Sequence, residues 1–396
     1  MSQGTGFRPA ETIASTRARR GTAVRLALGT ASALGLARFA YGLILPAMRA
    51  ELSWSLAQAG GLNTANALGY LLGALIAAPV ARRVGLAATF RLGLALTAIA
   101  LAATTATGSY PVLLAARAAA GLSGALVFIT GGVIVSRIAA STRSAAPITI
   151  YYSGAGIGIV FSAAFIPPLL DHHPGRWPLA WAGLAAVVGL AGLLSWTAAQ
   201  DGGDGDATSA TTLRATAHLS RPAAAYLLFA AGYIAYITFL SVYLNAHHAS
   251  IAQVVLTWAL LGLAAVIAPA LWSRPFSKWP GTRRLTVPLA LLSAASAAAL
   301  IPVPLFAVTA SAVGYGATFL AVPAAITTLI RSATPASQWT STLATFTVIF
   351  AIGQVCGPYL AGALADHYGA GATLVWAAAL CAAGAMLSAS SRAKHD

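Results

Sequence analysis

Twelve windows in this sequence are long and apolar enough to cross a bilayer as helices, and none of them contains a carboxylate. They lie near residues 25–46, 56–79, 89–107, 112–137, 146–170, 178–199, 222–245, 252–273, 286–303, 305–330, 339–363 and 373–390. A span needs about 20 apolar residues. Inside hydrocarbon every backbone N–H and C=O must be satisfied within the protein, so such windows fold as helices. The expected fold class is therefore an all-α polytopic membrane protein with twelve transmembrane helices. Charge confirms the class: 58% of the 396 residues are apolar and only 8% charged, against roughly 25% charged in soluble domains. A soluble enzyme and a soluble nucleic-acid binder are both excluded.

The long polar stretch from Gln200 to Arg221, with Asp201, Asp204 and Asp206 among Gly, Ser and Thr, reads as a mobile linker. It divides the chain into a tail (1–22), a six-helix bundle (23–199), a cytosolic linker (200–221), a second six-helix bundle (222–391) and a short tail (392–396). With the N-terminus in the cytoplasm, 19 of the 23 Lys and Arg fall in cytoplasmic segments, and only Arg49 and Arg176 fall outside. That asymmetry obeys the positive-inside rule and checks the helix count, because one missed helix would invert every later loop. Residues 1–22 carry four arginines but no apolar core, so they form no signal peptide and read as a flexible tail. The expected location is the cytoplasmic (inner) membrane, with both termini inside and the chain monomeric.

The two halves repeat. Gly158, Asp171, His172 and Trp181 recur as Gly353, Asp366, His367 and Trp376, each shifted by 195 residues. The same shift places Ala40-Tyr41 over Ala235-Tyr236 and Gly121 over Gly316. Parallel repeats of this kind build transporters whose substrate site lies at the membrane midplane between the halves.

Two arginines lie inside spans, Arg38 in the first and Arg117 in the fourth. An intramembrane ionisable group marks function by default, because it is expensive unless it faces a cavity or a partner. Counting from Pro46 and Pro111 at about 1.5 Å per residue puts them roughly 12 and 9 Å below the outer surface. Two cations at similar depth repel each other, and no intramembrane carboxylate is present to separate them. The missing counter-ion is then the substrate, a small organic anion held by guanidinium forks. The competing reading makes both arginines structural, with Arg117 reaching the outer interface and Arg38 binding helix-end carbonyls.

Polar stripes surround them. Tyr41 follows Arg38 by three residues and is expected on the same face. Asn63, Asn66 and Tyr70 form a stripe on the second helix, Tyr226, Phe229, Tyr233 and Tyr236 another on the seventh, and Gln354 follows Thr347 by seven on the eleventh. Amides and hydroxyls also serve as glue between membrane helices. His172, His173, His247, His248 and His367 fall in outer loops with no ligand set around them. Cys356 and Cys381 sit singly in apolar runs. No metal, no cofactor, no catalytic residue and no nucleic-acid partner is expected; the partners are a small-molecule substrate and the lipid bilayer. Efflux of apolar drugs or of an endogenous metabolite is the alternative, and it predicts indifference to the arginines.

The run Gly35-Leu36-Ala37-Arg38-Phe39-Ala40-Tyr41-Gly42 with Leu45-Pro46, followed by Leu62-Asn63-Thr64-Ala65-Asn66-Ala67-Leu68-Gly69-Tyr70, resembles the YbfB/YjiJ-type branch of the major facilitator superfamily. The resemblance implies two pseudo-symmetric six-helix bundles, alternating access, and a central cavity lined by helices 1, 4, 7 and 10. Arg38, Tyr41, Arg117, Tyr233 and Tyr236 would then face one space. The stretch Ala81-Arg82-Arg83-Val84-Gly85 departs from the superfamily's pattern by lacking its acidic residue.

Overall fold

The computed structural model describes residues 9–202, 217–301 and 304–390. Among the described residues twelve helices carry the fold. They are α1 (Arg19–Leu52), α2 (Leu56–Val84), α3 (Leu86–Ala103), α4 (Tyr110–Thr142), α5 (Ala146–Leu170) and α6 (Pro174–Ser195) in the first half. The second half holds α7 (Ser220–Ala246), α8 (Ile251–Lys278), α9 (Arg283–Ala298), α10 (Phe306–Ala333), α11 (Ser341–Tyr368) and α12 (Gly371–Ser390). Eleven of these are long and apolar enough to cross a membrane. The exception is α9, whose 16 residues span only about 24 Å. It opens on Arg283-Arg284, and tight turns carry the chain on to Ile301.

Residues 1–8 of the expected flexible tail lie outside the described residues, and over residues 9–22 the structure differs from that expectation. The first helix already begins at Pro9 and runs unbroken into α1. Proline suits the first helical position, and the Ala, Glu and Arg that follow are strong helix formers without being apolar. Most of the expected linker lies outside the described residues; on its two sides Ala198–Gly202 and Ala217–Leu219 each form a short 3-10 turn. Residues 392–396 also lie outside them.

Two of the helices are irregular. Within α1, Ala31–Phe39 is π-helical, and the Ala40 N–H reaches back to the Gly35 carbonyl at 3.0 Å. Such widened turns are uncommon and collect at functional sites. α10 is broken by a turn between the helical segments Pro304–Gly316, which begins two residues before the apolar span, and Ala321–Ala333. The Trp272 indole donates to the Ala317 carbonyl there at 2.7 Å, satisfying a backbone group that the break frees.

The repeat is visible as geometry. A Cβ on Gly121 of α4 would lie 1.9 Å from the Asn66 carbonyl oxygen of α2, and one on Gly316 of α10 would lie 2.1 Å from that of Leu261 in α8. Both pairs obey the 195-residue shift. So do the capping boxes, Ser55 with Gln58 opening α2 and Ser250 with Gln253 opening α8. Only glycine admits these close backbone approaches.

The bundles meet along two seams, α2 against α11 and α5 against α8. Gly60 faces the Pro358 carbonyl, and Gly156 faces that of Gly262. Thr64 Oγ1 donates to Val355 O at 2.6 Å and Ser153 Oγ to Val266 O at 2.8 Å. The C-terminal half of α1 also packs on α7. The α2–α11 contacts lie at the end bearing the 1–2 and 11–12 connections, whereas the α5–α8 contacts lie nearer the middle of both helices. Toward the end bearing the central linker, α4 and α5 share no comparable packing with α10 or α11 among the described residues.

Candidate functional site

The π-helical turn of α1 delivers Arg38 into the protein rather than to lipid: the residue is 3% exposed. Its guanidinium carbon stands 5.4 Å from the centre of the Tyr70 ring, a cation–π contact with α2. Nε and Nη2 are buried with no hydrogen-bond partner. Across the bundle boundary stands Tyr233 of α7, stacked on Phe319, which itself meets Phe39, the neighbour of Arg38. The Tyr233 hydroxyl accepts from Gln354 Nε2 of α11, while Gln354 Oε1 is buried and unpartnered.

Arg117 is fully buried and held differently. Its Nη1 donates to the Ala37 carbonyl at 2.7 Å. Its guanidinium carbon lies 5.2 Å from the Tyr41 ring centre and 5.0 Å from that of Trp181. Asn66 Nδ2 donates to the Arg117 carbonyl at 3.1 Å, fastening α2 to α4 beside the Gly121 approach. The Nε and Nη2 atoms of Arg117 also lack partners. The bond to Ala37 ties Arg117 to the very turn that carries Arg38.

Neither arginine meets a carboxylate. Among the described residues the one ion pair joins His172 and Asp171, at 3.5 Å. Neither arginine reaches an outer interface either, since both are buried. Buried donors on a charged group are costly to leave unmade, about 1–3 kcal/mol each and more where the charge itself is desolvated. A group carrying two of them is poised for an acceptor.

Tyr41 does not share a face with Arg38. Its hydroxyl donates to Ala59 O at 2.7 Å and its ring stacks on Trp181 at 6.5 Å, so it belongs to the Arg117 cluster. A π-helical turn holds more residues than an α-helical one, so a step of three covers less of the circle. Spacing rules for the α-helix therefore misplace Tyr41.

The remaining predicted residues line the bundle boundary or back it. Asn63 Nδ2 of α2 donates to Thr238 Oγ1 of α7, a bond between bundles, and leaves Asn63 Oδ1 buried without a partner. Asn66 Oδ1 is likewise unpartnered. Tyr236 points away into the second bundle, bonded to Ser311 at 2.7 Å and stacked on Tyr315 at 3.8 Å. The structure therefore brings Arg38, Tyr70, Tyr233 and Gln354 together and sets Arg117 with Tyr41 behind them. The sequence did not reveal Trp181 under Arg117, Ser311 and Tyr315 under Tyr236, or Phe319, which meets Phe39 edge-on at 5.7 Å across the boundary. Only the 195-residue recurrence of Trp181 hinted at any of these.

A fold of two repeated six-helix bundles, joined along paired seams and holding buried polar groups at the boundary, defines a membrane transporter of the major facilitator class. A sequence profile of the family described as the uncharacterised MFS-type transporter YbfB matches residues 30–391, and the chain belongs to that family. No curated protein matches its sequence. Among solved structures it is similar to the nucleoside transporter NupG, with a TM-score of 0.71 at 12% identity, covering 94% of this chain and all of that one. It is also similar to a bacterial homologue of the human lysosomal transporter Spinster in an inward-facing, occupied conformation. There the TM-score is 0.66 at 18% identity, covering 93% of this chain and 95% of that one. A third, the human organic anion transporter MFSD10, has a TM-score of 0.63 at 14% identity, covering 93% of this chain and 99% of that one. At these identities the likeness concerns the fold. Family and fold are those of a multi-pass membrane transporter, not an enzyme.

Proposed function

We propose that this protein is a secondary active or facilitative transporter that moves a small organic anion across the cytoplasmic membrane, with both termini on the cytoplasmic side. The observation that carries the reading is the Arg38 guanidinium, buried at the bundle boundary with Nε and Nη2 unmatched and no carboxylate to neutralise it. An incoming carboxylate accepts both donors in a fork, the geometry for which arginine is suited. Arg117 is the second cationic anchor: bonded to Ala37 and backed by Tyr41, it holds the Arg38 turn in place and adds positive potential behind the anion. Tyr233 and Gln354 supply the opposite wall from the second bundle, and the free oxygens of Asn63, Asn66 and Gln354 accept from donors on the cargo. Tyr236 supports Tyr233 from within the second bundle, where the Tyr315 hydroxyl donates to the Tyr233 carbonyl at 3.0 Å.

Because the site is assembled from both bundles, rocking them apart at one end and together at the other exposes it to each side in turn. The test is a thermal-shift screen of organic acids, each paired with its neutral amide, against the purified protein and Arg38→Gln. A ligand at about 100 times its Kd stabilises by about 2.7 kcal/mol. The reading requires stabilisation by an acid, little by its amide, and none in Arg38→Gln. An apolar compound that stabilises parent and variant equally would favour the efflux alternative instead.

A further inference from the structure

The N-terminus of α2 is completed by a residue from the other bundle. The Leu56 N–H donates to Asp366 Oδ1 at 2.6 Å and the Ala57 N–H to Asp366 Oδ2 at 3.0 Å. Ser55 Oγ takes the next one, from Gln58, at 3.1 Å. The first turn of α2 is thus capped by two residues, of which only Ser55 is local. Asp366 lies 310 positions from Leu56 in the chain, at the end of α11. A carboxylate at this place also meets the positive end of the helix dipole.

The repeat supplies an internal control. Asp171 is the counterpart of Asp366, and the opening turn of α8 is the counterpart of that of α2, with its own Ser250–Gln253 capping box. Yet Asp171 does not reach α8. It stands 39% exposed beside His172. Capping across the bundle boundary is therefore not a by-product of the fold, since only one of two equivalent places has it.

We infer that Asp366 is a gating residue of the transport cycle, a latch that holds the end away from the central linker shut by capping α2 across the boundary. A ligand or contact shifts a conformational equilibrium only by the interactions it makes in one state and not in the other. Capping by Ser55 persists whichever way the bundles tilt. Capping by Asp366 exists only while Leu56 and Asp366 touch, so its full strength falls on the closed side. A cavity of about 720 Å3 lies at the same end, lined by Arg49, Trp54, Asn245 and Asp366 among others. Arg49 donates there through its Nε to the Trp54 carbonyl at 3.1 Å and forms no ion pair with Asp366. Opening this end must break both backbone bonds at once.

The test reads distance and needs no substrate, so it stands whether or not the cargo is an anion. In a Cys356→Ala, Cys381→Ala background, spin labels at Ala106→Cys and Ala252→Cys report the separation of the bundles at this end, in nanodiscs without ligand. The parent should show a dominant short distance. Asp366→Ala should transfer population to a longer one, lowering the closed-to-open ratio about tenfold or more for two charge-assisted bonds lost. Asp366→Asn, which keeps one acceptor, should fall between, and Asp171→Ala should match the parent. The same bond can be cut from the donor side: Leu56→Pro deletes an N–H at the first helical position, where proline is tolerated, and should open the end. Leu56→Ala keeps the N–H and should not. Distance distributions for Asp366→Ala and Leu56→Pro that superimpose on the parent, or an equal opening in Asp171→Ala, would overturn the latch.

Discussion

Replacing Arg38 by Met should make the empty protein more stable. The guanidinium is 3% exposed and leaves Nε and Nη2 without acceptors. Relieving two unmade bonds returns about 1–3 kcal/mol each. Against this stands the cation–π contact with Tyr70 at 5.4 Å, which contributes about 1–2 kcal/mol when desolvated. Methionine keeps the apolar stem that the arginine packs against its neighbours. The balance is a gain of up to about 5 kcal/mol with a midpoint of about 2–3, or a rise of roughly a few degrees in melting temperature. Arg117→Met should instead destabilise by about 1–3 kcal/mol, because the relief of its own two unmatched donors is outweighed by the loss of the charged bond to Ala37, the stranded carbonyl and the loss of two ring contacts. The assay is thermal unfolding of the three proteins in the same nanodiscs, followed by intrinsic Trp fluorescence. An Arg38→Met variant that melts below the parent would mean that its donors are already satisfied, and would remove the reason for expecting an anion there.

Three further outcomes follow from the same contacts. Gly121→Ala and Gly316→Ala should each destabilise by about 1–3 kcal/mol through overpacking, since the new methyl would meet a backbone carbonyl at 1.9 or 2.1 Å; matched melts would show nearly equal losses at the two repeat-related sites. Gly121→Ala should also weaken ligand binding in titration calorimetry, because it pushes apart the helices that Asn66 fastens at Arg117. Tyr236→Phe, which loses only its bond to Ser311, should cost about 0.6–1 kcal/mol in the same melts and leave ligand affinity close to that of the parent.

Much of the fold was legible because lipid imposes hard rules. Apolar length located the spans, and lipid leaves a spanning chain of this kind little alternative to the helix. A 195-residue shift announced the repeat that Gly121 and Gly316 later embody as close contacts. The limits of that reading are local. The helix from Pro9 escaped notice because its residues are polar, and hydropathy sees only what lipid would accept. The shortness of α9 lies in helix ends, which hydropathy windows blur. At the site, the sequence singled out Arg38 and Arg117 by their cost in a membrane, but not their division into one free and one braced guanidinium. That division depends on a π-helical turn, and nothing in the spacing of Gly35, Arg38 and Tyr41 announces one. Asp366 was visible as half of a repeated Asp-His pair, whereas its grip on Leu56 and Ala57 is tertiary and could only be seen in the folded chain.

The most direct measurement of the central claim is flux into proteoliposomes of an organic acid that binds the protein, compared with its neutral amide, through the parent and through Arg38→Gln. The account predicts saturable entry of the acid in the parent, little entry of the amide, and loss of acid transport in Arg38→Gln although that variant stays folded. Equal transport of acid and amide, or an Arg38→Gln protein that carries the acid as the parent does, would contradict it.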